Sequence, residues 1–105
     1  KRQVNVSALK GWFGKKDPAA AKVYLDRYQT VARTVTGDPH ATVEDGVEWI
    51  VRLVKDCGVP GLGEFGLKES DFDEVVGKSK ESSSMKGNPV PLSDDELKTM
   101  LRMAL

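Results

Sequence analysis

Apolar residues recur along the chain at intervals of three and four, the spacing of one face of an α-helix. Leu25, Tyr28, Ala32 and Val35 make the first such stripe, widened by Tyr24 and Val31. It follows Asp17-Pro18, a good N-cap and a residue suited to the first helical position, and it ends at Gly37 with Asp38-Pro39 behind it. The second stripe follows Thr42, which with Asp45 has the spacing of a capping box. Val43, Val47, Ile50 and Val54 share one face, and Trp49, Leu53 and Cys57 extend it round the helix. So wide a surface predicts a helix covered on more than one side. Gly58 then caps its C-terminus and Pro60 prevents its continuation.

A Gly-rich turn region, GVPGLGEFGLKES, occupies residues 58 to 70. A third helix is predicted from Ser70 or Asp71 to Lys80, with Phe72, Val75, Val76 and Ser79 inward. Asp71, Asp73 and Glu74 stand in its first turn, where the helix dipole favours acids. ESSSMKGNPVP reads as a polar loop. Ser93 with Glu96 then boxes a last helix whose stripe is Leu97, Met100, Leu101 and Ala104. No segment alternates in the manner of a strand. The expectation is an all-α fold, a single domain over residues 1–105 built as a small bundle of about four helices. Residues 1–17, with Gly11 and Gly14 and the adjacent Trp12 and Phe13, read as an irregular lead-in.

Charge and composition narrow the function. Sixteen basic and sixteen acidic residues cancel, whereas a dedicated nucleic-acid binder carries a basic surplus. A helix-turn-helix DNA binder is disfavoured on that ground, and nucleic acid is not an expected partner. The 39% hydrophobic fraction supports a modest core. No apolar run is long enough to span a membrane, so no membrane partner is expected. The first ten residues lack the apolar stretch of a signal peptide. The expected compartment is reducing and cytoplasmic. With one Cys and one His, neither an internal disulfide nor an ordinary zinc site can be assembled from this chain.

The candidate chemistry is sparse. Gly61-Leu62-Gly63-Glu64-Phe65-Gly66 matches G-x-G-x-x-G. A dinucleotide site would need a strand before it and a helix opening inside it. Here a capped helix precedes it and the next helix opens too late, so it reads as a connector. His40 falls in a turn without an orienting partner. Cys57, at the end of the second helix on an apolar face, reads as a small buried hydrophobe. The groups Asp71, Asp73, Glu74 and Asp94, Asp95, Glu96 are explained by helix starts. Ser82-Ser83-Ser84 has no base beside it. No catalytic, cofactor-binding or metal-ligating residue emerges from the residue pattern.

Three segments carry a resemblance. Pro60-Gly61-Leu62 with Phe65-Gly66-Leu67 resembles the segment after a long helix in the iron-containing alcohol dehydrogenases. Ser83-Ser84-Met85-Lys86-Gly87-Asn88-Pro89, followed by Leu92, Asp95, Glu96, Leu97 and Leu101-Arg102-Met103-Ala104-Leu105, resembles that family's C-terminal loop and closing helix. YQTVARTVTG, Tyr28 to Gly37, resembles its helix with an Ala-Arg element. The resemblance covers roughly residues 24 to 105. It implies the distal part of the family's C-terminal all-helical domain. In the family, an N-terminal α/β domain binds NAD(P), and one Asp and three His hold a divalent metal, usually iron, that polarises the substrate oxygen. With His40 alone, those ligands are expected before Lys1. That the chain begins with Lys1 rather than Met agrees with a missing N-terminal part, which would be the partner of this piece. The fragment is expected to be inactive and to self-associate through exposed surface. By resemblance, the loop Ser82 to Asn88 borders the substrate cleft, with Ser84 and Met85 as wall residues. The competing expectation is a free-standing helical interaction module that docks through Trp12, Phe13 and the Val43 to Val54 face.

Overall fold

The computed structural model describes residues 2–105. It is all-helical, with no strand among the described residues. The chain divides into two compact units, residues 2–59 and 60–105.

The first unit holds four helices: α1 (Arg2–Lys10), α2 (Trp12–Lys16), α3 (Pro18–Thr36) and α4 (Val43–Asp56). The expected irregular lead-in is corrected here, because residues 2–16 are almost wholly helical; Lys1 lies outside the described residues. Val4, Ala8 and Leu9 supply an inward face with helical spacing, and all three are buried. The two glycines of the segment serve a close approach. The chain bends between α1 and α2 at Gly11, and a Cβ at Gly14 would collide with the Leu9 carbonyl. Asn5, also buried, donates its side-chain amide to the Tyr28 hydroxyl of α3 at 3.0 Å. That bond offsets the cost of burying an amide.

α3 and α4 start and stop as their sequence requires. The Asp17 carboxylate accepts the Ala20 N–H at 3.1 Å, Pro18 opens α3, and Gly37 ends it in the left-handed conformation at φ 72°. Thr42 and Asp45 close a reciprocal capping box on α4: the Asp45 N–H donates to the Thr42 hydroxyl, and the Thr42 N–H to the Asp45 carboxylate. The two helices pack through small residues, Gly46 against Ala32, both buried. A Lys10–Glu44 ion pair ties α1 to α4.

The wide apolar surface of α4 is not covered as expected. Val43 and Gly46 are buried, Val47, Trp49 and Ile50 are half-buried, and every residue from 51 to 60 is exposed. Cys57, expected to be buried, is exposed for this reason. Its apolar neighbours on the helix are themselves bare, so they provide no pocket.

The second unit contains α5 (Phe72–Lys80), α6 (Ser83–Lys86) and α7 (Asp94–Ala104), with 3-10 turns at Leu62–Phe65 and Glu69–Asp71. Phe72 and Val76 of α5 and Leu97 of α7 are buried, as is Val90 between them in sequence. Side chains fasten α5 and its preceding turn to α7: Lys98 to Asp73 at 2.6 Å, Lys80 to Asp94 at 2.6 Å, and Arg102 to Glu69 at 3.0 Å. The Arg102 guanidinium also lies 5.8 Å from the centre of the Phe72 ring, within cation–π range. At Gly61 a Cβ would collide with the Leu105 carbonyl, so glycine is needed where the last residues approach. α6 is a single helical turn inside the segment expected to be a polar loop.

The four helices expected from hydrophobic spacing correspond to α3, α4, α5 and α7. α1, α2 and α6 were not legible as helices, the first two because Gly11 separates them and Gly14 stands inside α2, and the last because it is one turn long.

Candidate functional site

Ser84 and Met85, the wall residues implied by resemblance, sit on α6. Backbone bonds hold this turn, with the Gly87 N–H on the Ser83 carbonyl at 3.2 Å and the Asn88 N–H on the Met85 carbonyl at 3.1 Å. Ser84 is exposed and Met85 half-buried. Just beyond, the Asn88 side-chain amide donates to the Val90 carbonyl at 2.7 Å, and Val90 is buried. That bond turns the chain toward α7. The Ser93 hydroxyl accepts the Glu96 N–H at 3.2 Å, and the Glu96 carboxylate accepts the Ser93 N–H at 3.1 Å, so α7 starts on a full capping box.

A groove with a volume of about 400 Å³ lies between α1 and α4 in the first unit. Val6, Val47 and Val51 give it apolar walls, while Ser7, Glu48 and the Lys10–Glu44 pair edge it. It was missed in the sequence because α1 was not read as a helix. Its lining offers three valines and one side-chain hydroxyl, Ser7. It does not include Ser84 or Met85.

The perturbed titrations all trace to helix ends and ion pairs. The Asp45 carboxyl is lowered by the Thr42 N–H first and the Thr42 hydroxyl second. Lys98 lowers the Asp73 carboxyl through its hydrogen bond and its charge, and Asp73 raises Lys98 in return. Glu74 raises Lys78 in the same way, one turn apart on α5. Each shift is that of a satisfied pair on the surface, and none marks a poised acid or base.

The remaining candidates resolve locally. The His40 N–H donates to the Asp38 carboxylate at 2.8 Å in an exposed turn. Gly61 to Gly66 forms a 3-10 turn closed by Gly66 at φ 95°, not the strand–turn–helix of a dinucleotide cradle. Among the described residues, no three or more His, Cys, Asp or Glu side chains converge as a metal-binding group. The residues described therefore do not fit the iron that the resemblance implies.

No protein-family model, curated protein or solved structure matches this chain. The resemblance to the iron-containing alcohol dehydrogenases thus rests on the segments quoted above.

Proposed function

We propose that this chain is the C-terminal helical part of an iron-containing, NAD(P)-dependent alcohol dehydrogenase, whose whole polypeptide interconverts an alcohol and its aldehyde or ketone by hydride transfer. The observation that carries the reading is the Asn88-Pro89 turn. It follows Ser83-Ser84-Met85, bonds back onto Val90 and delivers the chain into a boxed last helix, in the order the family's closing segment has. An all-helical chain with Pro60-Gly61-Leu62 after its α4 helix also agrees with that reading. In it, exposed Ser84 and half-buried Met85 contribute to the wall of the substrate cleft. NAD(P) and iron belong to a preceding part of the polypeptide, and the enzyme works in the cytoplasm. The chain by itself has no activity.

The test is the intact mass of the native polypeptide, with peptide mapping upstream of Lys1 and an assay of alcohol-dependent nicotinamide reduction. The expected result is a longer chain with a nucleotide-binding half, a histidine-bearing metal segment and that activity. A native chain beginning near Lys1 overturns the proposal. It would favour the second reading, an interaction module, which the exposure of Val51, Leu53 and Val54 supports.

A further inference from the structure

The C-terminal half of α4 presents apolar side chains to solvent. Val51 is 53% exposed and Val54 43%, on a helix whose residues 51–56 are all open. Val47, Val51 and Val54 follow one another at four and three residues and form a seam. Beside that seam stand Glu48 and Lys55, seven residues apart and hence on the same flank two turns apart. Both are exposed, and among the described residues neither forms an ion pair, although Glu44 one turn earlier is paired with Lys10.

We infer that the Val47–Val51–Val54 seam of α4 is the contact of a two-fold dimer, in which α4 packs antiparallel on α4 of a second copy and Glu48 of each copy pairs with Lys55 of the other. The charge order selects both the occupant and the direction. Acid lies toward the N-terminal end of the seam and base toward the C-terminal end, on one flank. An antiparallel two-fold therefore matches the surface to itself and makes the Glu48–Lys55 pair twice. A parallel two-fold would put the two Glu48–Lys55 flanks on opposite sides of the seam, where each faces Val43, Ile50 and Cys57 of the other helix rather than a complementary charge. Antiparallel packing also places each helix's positive end beside the other's negative end. In this register Val54 of the second copy is level with the gap between Val47 and Val51, at the apolar wall of the α1–α4 groove, a knob entering a hole. The inference does not depend on the dehydrogenase reading.

Sedimentation equilibrium of the 105-residue chain over a concentration series tests it. The expected result is a reversible dimer of twice the chain mass. Glu48→Lys and Lys55→Glu each weaken it about tenfold, since two surface pairs become repulsive, and the double exchange restores it. Val51→Cys in a Cys57→Ser background should oxidise to a disulfide-linked dimer. This readout remains available if a charge reversal loses its helical circular dichroism. A monomer at every concentration overturns the proposal. So does a dimer indifferent to the reversals and not trapped by Cys at 51, since it would use another face. In a longer native polypeptide, a monomer whose Val51→Cys thiol resists modification also overturns it, because the seam is then covered from within the same chain.

Discussion

Gly46→Ala isolates the packing of α3 on α4. A Cβ at Gly46 would stand 2.6 Å from the Ala32 Cβ and 2.9 Å from the Ala32 Cα. Carbon atoms rest at about 3.5–4.0 Å, so the two helices must separate by about 1 Å. Neither obstacle can rotate away, since one is backbone and the other is fixed to it. Overpacking of this kind costs about 1–3 kcal/mol. Replacing a mid-helix glycine returns about 1 kcal/mol of helix propensity. The net expectation is a loss of about 1 kcal/mol, seen as a fall of about 5 °C in Tm for a domain of this size. Gly77 on α5 is the matched control, because nothing lies within 4 Å of its would-be Cβ. There the propensity acts unopposed, and Gly77→Ala should stabilise by about 1 kcal/mol. Thermal melts of both variants by circular dichroism give the comparison. Ala32→Gly should relieve the first variant, so the double mutant is less destabilised than the sum of its parts. A rise in Tm for Gly46→Ala, equal to that of Gly77→Ala, would refute the close α3–α4 contact.

Ser93→Ala removes one arm of the α7 capping box and should cost about 1 kcal/mol in denaturant unfolding; an unchanged midpoint would mean that α7 does not depend on its cap. The Asp73 carboxyl, held below the ordinary value of 3.8 by Lys98, should titrate by NMR below that value and move back toward it in Lys98→Ala. Because the folded carboxyl is depressed, the pair's contribution is present above pH 3.8 and is lost as pH falls through the lower folded value, so acid weakens the α5–α7 fastening. A titration midpoint indifferent to Lys98→Ala would disprove the pairing in solution. On the dehydrogenase proposal, Ser84→Ala and Met85→Ala in the full-length polypeptide should change the relative kcat/KM among alcohols of different size. Unaltered ratios would remove both residues from the cleft wall.

Local chemistry was enough to establish the helical character of the chain and four of its helices. Asp17-Pro18 and Gly37, the Thr42–Asp45 box and the Ser93–Glu96 box act within one turn of the residues they cap, so their effect is written in adjacent positions. The Asn88-Pro89 turn is equally local, its side-chain bond reaching only to Val90. α1 and α2 were hidden because Gly11 and Gly14 read as breakers, and only the nearness of the Leu9 carbonyl shows why Gly14 stands inside a helix. Burial was decided by tertiary structure alone. The same periodicity that marks α4 as apolar on many sides cannot tell which turns have neighbours, and so Gly46 meets Ala32 while Val51, Val54 and Cys57 stand open. Helix ends obey the sequence because capping is a contact between near neighbours in the chain. Covered faces and grooves need residues far apart in it, and those only the fold brings together.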